Sequence, residues 1–411
     1  MQNVIVEKPY QFVPPHRGRW LPRVLLRVGQ IHTLFNRFAH GVVSHECRHV
    51  ERLRESINAG HGIVIAPNHS RTSDPAALGW LCESVPCLFY EMASWHLYNQ
   101  GWISRWVLPA MGAFSINREG VDRQAINTAI DLLVDAERPL VIFPEGFTSR
   151  TTDRLKTLFD GIALVARMGA KKRARAGGQV VVHPVAIKYH LIGNIDAIAD
   201  QALTVIESRL FWRPQRQLPL LDRVIKVGKS LLALKELEYL GETCAGSLSE
   251  RLSRLMDHLL VPLEIEWVGK LQTAPTMLRV RTLRTHILPD LVNGRITADE
   301  RARRWRQLED LYLAQHLSSY VPDYLAFPSV DRIFEIVEKF EEDLTDTIRH
   351  HPPLHCVLDV GEGILVSPQR GNRADVDPLL GELERRLQGM LDQLANESRL
   401  YEPICRQSPV K

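Results

Sequence analysis

Three short apolar runs recur in the first half of the chain: GIVIAP at 62–67, LVIFPEG at 140–146 and QVVVHPVAIKY at 179–189. The first two are bounded by Gly and Pro and the third is rich in β-branched residues, so each predicts a buried strand. Helical patterns over about 75–84, 121–137 and 157–169 separate them. Strands that alternate with helices build a mainly parallel sheet flanked by helices, so the expected fold class is α/β. Ligands of such sheets gather at the carboxyl ends of the strands.

Beyond about Gly193 the pattern becomes long and helical. Thr297-Ala-Asp-Glu300 reads as a capping box that opens a helix to about Tyr320, and a further helix is expected from about Asp331 to Arg349. HCVLDVGEGILV at 355–366 then returns to a strand-like run, followed by a helix from about Asp377 to Leu394. A strand arriving that late would complete the earlier sheet and make the middle an insertion, not a tandem domain. The expected organisation is an N-terminal segment 1–60, an α/β core 61–193, a large helical insertion 194–354 and a returning strand and helix over 355–400.

Residues 20–43 predict an amphipathic helix, with Val24, Val28, Ile31, Phe35, Phe38 and Val42 at alternating spacings of four and three, and Leu25 and Leu34 beside the stripe. Trp20 precedes it, Pro22 suits a first turn, and Arg23, Arg27 and Arg37 lie off the apolar face. A bilayer interface and the protein's own core would each suit such a stripe. Residues 86–117 carry only Glu91 and Arg105 as charged side chains, with Trp95, Tyr98, Trp102 and Trp106 among them, and read as an acyl-chain groove or as ordinary core. No secretory signal and no run of about 18 apolar residues is found. The expectation is a peripheral protein on the cytoplasmic side of a membrane, with no transmembrane helix.

Lys and Arg total 51 against 48 Asp and Glu, a net charge of +3 that speaks against a nucleic-acid binder. The sum conceals a gradient, +8 over residues 1–193 and −5 over the rest. Six cysteines without a C-x-x-C pair are expected to be reduced thiols.

Four constellations carry the chemistry. Pro67-Asn-His-Ser-Arg-Thr-Ser-Asp-Pro75 follows the first strand and places His69 and Asp74 five apart. On a regular helix that spacing turns side chains about 140° away from each other, so they meet only if His69 stays on the loop and Asp74 begins the helix. A carboxylate that fixes the tautomer of a histidine makes a general base, although Asp74 before Pro75 is also a good helix cap. The second constellation runs from Gly112 to Gly120 and holds Arg118, whose forked donors suit a phosphate. The third, Phe143 to Arg150, offers Glu145, Gly146 and Arg150 at a strand end, and the fourth is His183-Pro184-Val185. None of these four blocks has an H-E-x-x-H or a Cys/His ligand spacing, and no G-x-S-x-G is present in the chain.

In order and spacing these blocks resemble the glycerolphosphate and lysophosphatidic acid acyltransferase superfamily, whose pattern is N-H-x4-D, then G-x5-R, then F-P-E-G with a following Ser, then V-P. The resemblance covers about residues 60–190. It implies an O-acyltransferase of phospholipid synthesis that moves a fatty acyl group from a thioester, acyl-CoA or acyl-ACP, to a hydroxyl of lysophosphatidic acid or glycerol 3-phosphate. His69 and Asp74 are then the catalytic pair, while Asn68, Arg118, Glu145, Gly146, Ser149 and Arg150 are the substrate-binding candidates. A thioester is already activated, so the chemistry needs a base but no metal, no cofactor beyond the co-substrate and no acyl-enzyme. The partners implied are the donor, with acyl carrier protein among its carriers, the acceptor, and a membrane surface met through 20–43 and 86–117.

Two departures stand out. Family members usually carry Thr-Arg-Ser after F-P-E-G, whereas here Phe147-Thr148-Ser149-Arg150 displaces the arginine; Phe159-Asp160-Gly161 puts an acid where a lysine is common. Arg167, Lys171, Lys172, Arg173 and Arg175 crowd the next loop as a solvated run or a headgroup contact. Acylation of another lysolipid or an amino-acid lipid, and a non-catalytic membrane lipid-binding role, are the alternatives.

Overall fold

The computed structural model describes residues 8–24, 31–211, 213–294, 296–321, 323–345, 347, 349–351, 353–369 and 377–402. Helices α1 (Trp20–Arg23) and α2 (Ile31–His40) lead into strand β1 (Val42–Arg48) and helix α3 (Val50–Asn58). Then come β2 (Gly62–Pro67), α4 (Asp74–Ser84), β3 (Tyr90–Ser94), a 3-10 turn (Trp95–Asn99), α5 (Trp102–Ala110), β4 (Ala113–Ile116), α6 (Arg123–Asp135), β5 (Leu140–Val141), α7 (Gly161–Ala174) and β6 (Val180–Leu191). Six helices follow: α8 (Ile195–Phe211), α9 (Leu220–Leu240), α10 (Leu248–Val268), α11 (Thr276–Asn293), α12 (Ala298–Leu317) and α13 (Val330–Thr345). The chain returns through β7 (Leu354–Val360), β8 (Ile364–Leu365) and α14 (Pro378–Ala395).

The sheet order is β1-β7-β6-β2-β5-β3-β4, with β8 beside β6. Strands β2 to β6 pair in parallel, whereas β7 and β8 run antiparallel to β6. The fold is α/β, as the alternating pattern predicts. β2 shows why its sequence is apolar without alternation: Ile63 and Ile65 enter one core layer with α4, α8 and α13, while Val64 and Ala66 enter the opposite layer with α6, α7 and α14. Helices α9 to α12 share a further core of their own, built from Leu255, Leu260, Val280, Leu283, Leu308 and neighbours. Pro184 lies inside β6, where that strand changes partner from β8 at Val181 and Val182 to β7 from Val185 onward, so its missing N–H falls in the gap.

Several boundaries differ from the sequence pattern. The helix expected to reach residue 43 ends at His40, because Gly41 turns with φ 70° and Val42 opens β1, which pairs with β7. Leu25, Arg27 and Val28 of that predicted helix lie outside the described residues. Only Leu140 and Val141 of LVIFPEG join the ladder, and the rest forms the loop that follows β5. Thr297 accepts from the Glu300 N–H at 3.2 Å, yet the Glu300 carboxylate turns to Arg303 and Arg304; the reciprocal box occurs at Ser247 and Glu250. Helix α13 stops at Thr345, short of Arg349.

Helix α2 is packed inside out. His32, Asn36 and His40, one face at spacings of four, are buried, while Leu34, Phe35 and Phe38 are exposed. Its underside reaches α4, where the Trp80 indole donates to Thr33 at 2.9 Å. The aromatic stretch divides: Trp95 and Tyr98 are core, whereas Trp102 is 82% and Trp106 64% exposed. Among the described residues no helix is long and apolar enough to cross a membrane.

Candidate active site

The carboxyl ends of β2, β4 and β5 converge, and each carries one of the sequence blocks. After β2 the chain leaves the sheet as a loop, and Asp74 begins α4 with Pro75 in the first turn. The Asp74 side chain does not cap that helix. It turns back into the loop, where Oδ2 accepts from the N–H groups of Ser70 at 2.7 Å and Arg71 at 2.9 Å and from His69 Nδ1 at 2.9 Å. Oδ1 accepts from the Tyr189 hydroxyl at 2.7 Å. Asp74 is wholly enclosed, so these donors replace water around its charge. With Nδ1–H committed to Asp74, the acceptor nitrogen of His69 is Nε2, which lies 3.4 Å from the Thr148 hydroxyl, and the side chain as a whole is partly exposed. Phe143 packs against that ring with centroids 4.3 Å apart.

The block after β5 grips this loop at several points. Glu145 accepts from the His69 N–H at 2.7 Å through one oxygen and from the Lys156 N–H at 2.9 Å through the other. Ser149 N–H donates to the His69 carbonyl at 2.8 Å, and Arg150 N–H to the Ser70 carbonyl at 3.1 Å. The Ser149 hydroxyl donates to the Thr151 carbonyl. Asn68 extends the ladder with its side chain, donating to the Ile187 carbonyl at 3.0 Å and accepting from its N–H at 2.7 Å. Gly146 has φ 69°, and a Cβ there would come within 2.7 Å of the Phe159 ring.

Residues 47–188 match the family model described as Acyltransferase. This segment belongs to the acyltransferase family. Over 106 residues the chain is 34% identical to the 1-acyl-sn-glycerol-3-phosphate acyltransferase of Streptococcus pneumoniae (strain ATCC BAA-255 / R6). That alignment covers 26% of this chain and 37% of the relative, so the chain spans little more than a third of the relative's length.

Within the acyltransferase domain the candidate residues fall into groups. His69 and Asp74 meet; Asn68, Glu145 and Ser149 are buried and spend their polar atoms on the protein's own backbone. Burial pushes the Glu145 carboxyl up to about 8, against its two backbone donors and Lys156. Burial likewise lowers Lys156 to about 8, with Glu145 opposing the fall. Arg118 donates to the Gly146 carbonyl, and burial lowers its pKa. Arg150 stands apart from Arg118: its guanidinium pairs with Glu342 of α13 at 2.6 Å. Among the described residues no three His, Cys, Asp or Glu side chains converge to hold a metal ion.

Tyr189, Thr148 and Arg71 were not singled out by the sequence. Arg71 is buried between the Tyr189 and Phe334 rings and ion-paired to Glu338 at 2.5 Å. These partners come from β6 and α13, far along the chain, and no local spacing announces them.

Proposed function

We propose that the chain transfers a fatty acyl group from a thioester, on coenzyme A or acyl carrier protein, to a hydroxyl of lysophosphatidic acid or glycerol 3-phosphate at a membrane surface. The observation that carries this reading is the His69–Asp74 pair, with Nδ1 fixed by the carboxylate and a partly exposed imidazole at the carboxyl ends of parallel strands. The acceptor oxygen bonds to the thioester carbonyl carbon as its proton passes to Nε2. Collapse of the tetrahedral oxyanion then breaks the carbon–sulfur bond, and the departing thiolate takes the proton from the imidazolium. Asp74 stabilises that imidazolium, and general-base help of this kind is worth about 10²- to 10⁴-fold. The exposed Phe35, Phe38, Trp102 and Trp106 support a bilayer as the place where acceptor and donor chains are met.

The test is release of free thiol by the purified full chain given a long-chain acyl thioester and lysophosphatidic acid or glycerol 3-phosphate. His69→Ala should abolish it, and equal turnover by that variant would sink the mechanism. The engagement of Arg150 by Glu342 favours a second reading in which the acceptor is a different lysolipid or an amino-acid lipid. A panel of acceptors with and without a phosphomonoester separates the two.

A further inference from the structure

Helix α11 lies outside residues 47–188, yet it brings Arg281 and Arg284, one turn apart, against that domain. The Arg281 guanidinium sits 5.2 Å from the centroid of Phe159, the ring that abuts Gly146. Arg118 donates to the carbonyl of the same Gly146. Arg284 stands close enough to Glu119 and Arg118 for both charges to act on it. Its Nε and one terminal nitrogen are enclosed and have no hydrogen-bond partner.

Idle donors on an enclosed guanidinium are costly, and a nearby like charge adds to the cost. Burial brings Arg284 down to about 10, with Glu119 opposing the fall and Arg118 reinforcing it, so the group still carries its charge at neutral pH. Glu119 is one carboxylate for two guanidiniums, and His96 already shares it at 3.2 Å. The cluster therefore holds surplus positive charge, with forked donors unfilled, beside the Gly146 block that touches the His69 loop. A phosphomonoester fits both the charge and the fork.

We propose that Arg284 binds the phosphate of the acceptor, so that the helical insertion and Arg118 together complete an anion site that the acyltransferase domain alone leaves unfinished. The proposal rests on the acyl-transfer reading above. It also accounts for the displaced arginine of the third block: Arg150 holds α13 through Glu342, and α11 supplies the second phosphate donor in its place.

The experiment compares Arg284→Gln and Arg284→Lys with the unaltered full chain, varying acceptor and donor separately. Arg284→Gln should raise the acceptor KM about 10- to 100-fold, as loss of charged hydrogen bonds implies, with kcat and the donor KM little changed. Arg284→Lys should recover part of the loss, since it restores charge without the fork. Inorganic phosphate should raise the melting temperature of the unaltered chain more than that of Arg284→Gln, and the variant alone should melt no lower, because it sheds an uncompensated charge. An unchanged acceptor KM, or a shift confined to the donor and hence to the phosphates of coenzyme A, would overturn the proposal. If no acyl transfer occurs with any acceptor but the phosphate-dependent stabilisation is lost in Arg284→Gln, the anion site stands and the acyl-transfer reading fails.

Discussion

The backbone N–H of His69 donates to the carboxyl group of Glu145 at 2.7 Å, so the loop after β2 and the loop after β5 are tied together independently of any substrate. Glu145, within the most recognisable stretch of its block, thus acts on the histidine's backbone and on Lys156, whose N–H occupies its other oxygen. Its acid is raised to about 8 by burial, so the folded state holds a proton that the unfolded chain releases near pH 4.5. The folded state binds more protons between those values, and stability falls as pH rises through that window, by up to about 1.4 kcal/mol per pH unit. Denaturant midpoints of the unaltered chain should decline from pH 5 to pH 8. Glu145→Gln, which has no proton to lose, should start lower, and the gap between the two should shrink as pH rises; a constant gap would rule out this titration.

Asn68 takes the place of a strand residue against β6. Asn68→Ala takes the acceptor from the Ile187 N–H and the donor from the Ile187 carbonyl in the interior, and should cost about 1–3 kcal/mol for each group left unsatisfied. Asn68→Asp keeps the acceptor but sets a second oxygen against the Ile187 carbonyl in a buried site, so at neutral pH it should cost more than the alanine variant. Thermal melts give the order; a neutral Asn68→Ala would mean water reaches the site.

Asp74 receives four donors, and their loss should not be equivalent. Asp74→Asn turns an amide toward groups that all donate and releases the His69 tautomer, so kcat should fall about 10²- to 10⁴-fold. Tyr189→Phe removes only the hydroxyl on Oδ1 and should cost about tenfold or less. Steady-state kinetics on both variants test the ranking, and equal losses would place the tyrosine on the reaction path itself.

The runs at 62–67 and 179–189 were legible because β2 and β6 are covered on both faces, which leaves a continuous apolar signature. β3 and β4 were not, since Tyr90–Ser94 and Ala113–Ile116 are too short to show a period and lie within a stretch whose aromatics dominate the pattern. β1 was hidden for a different reason: VVSHECR is largely exposed, and its first residue, Val42, continues the preceding helical stripe. The His69–Asp74 meeting was readable from a spacing of five and a proline. Tyr189, Glu338, Glu342 and Arg284 reach the same region through strand pairing and helix packing over 100 residues or more, and nothing local to them signals it.

The inverted helix α2 gives a prediction that separates lipid from protein as the partner of its stripe. A helix whose His32, Asn36 and His40 face inward exposes Phe38 to 80%, and Trp102 is exposed to 82% elsewhere on the surface. Neither side chain is held by the core, so Phe38→Ser with Trp102→Ser should change folding stability by no more than ordinary surface substitutions do, about 0.5 kcal/mol each. Full burial of each ring in a bilayer is worth about 1.5–3 kcal/mol, so the partition coefficient of the double variant on anionic phospholipid vesicles, read by cosedimentation, should fall by about 100-fold or more. Basic residues of the first 193 add a term that salt screens, and attachment of the unaltered chain should weaken between low and high ionic strength while retaining the apolar part. Undiminished vesicle binding by the double variant would exclude this face as the membrane contact.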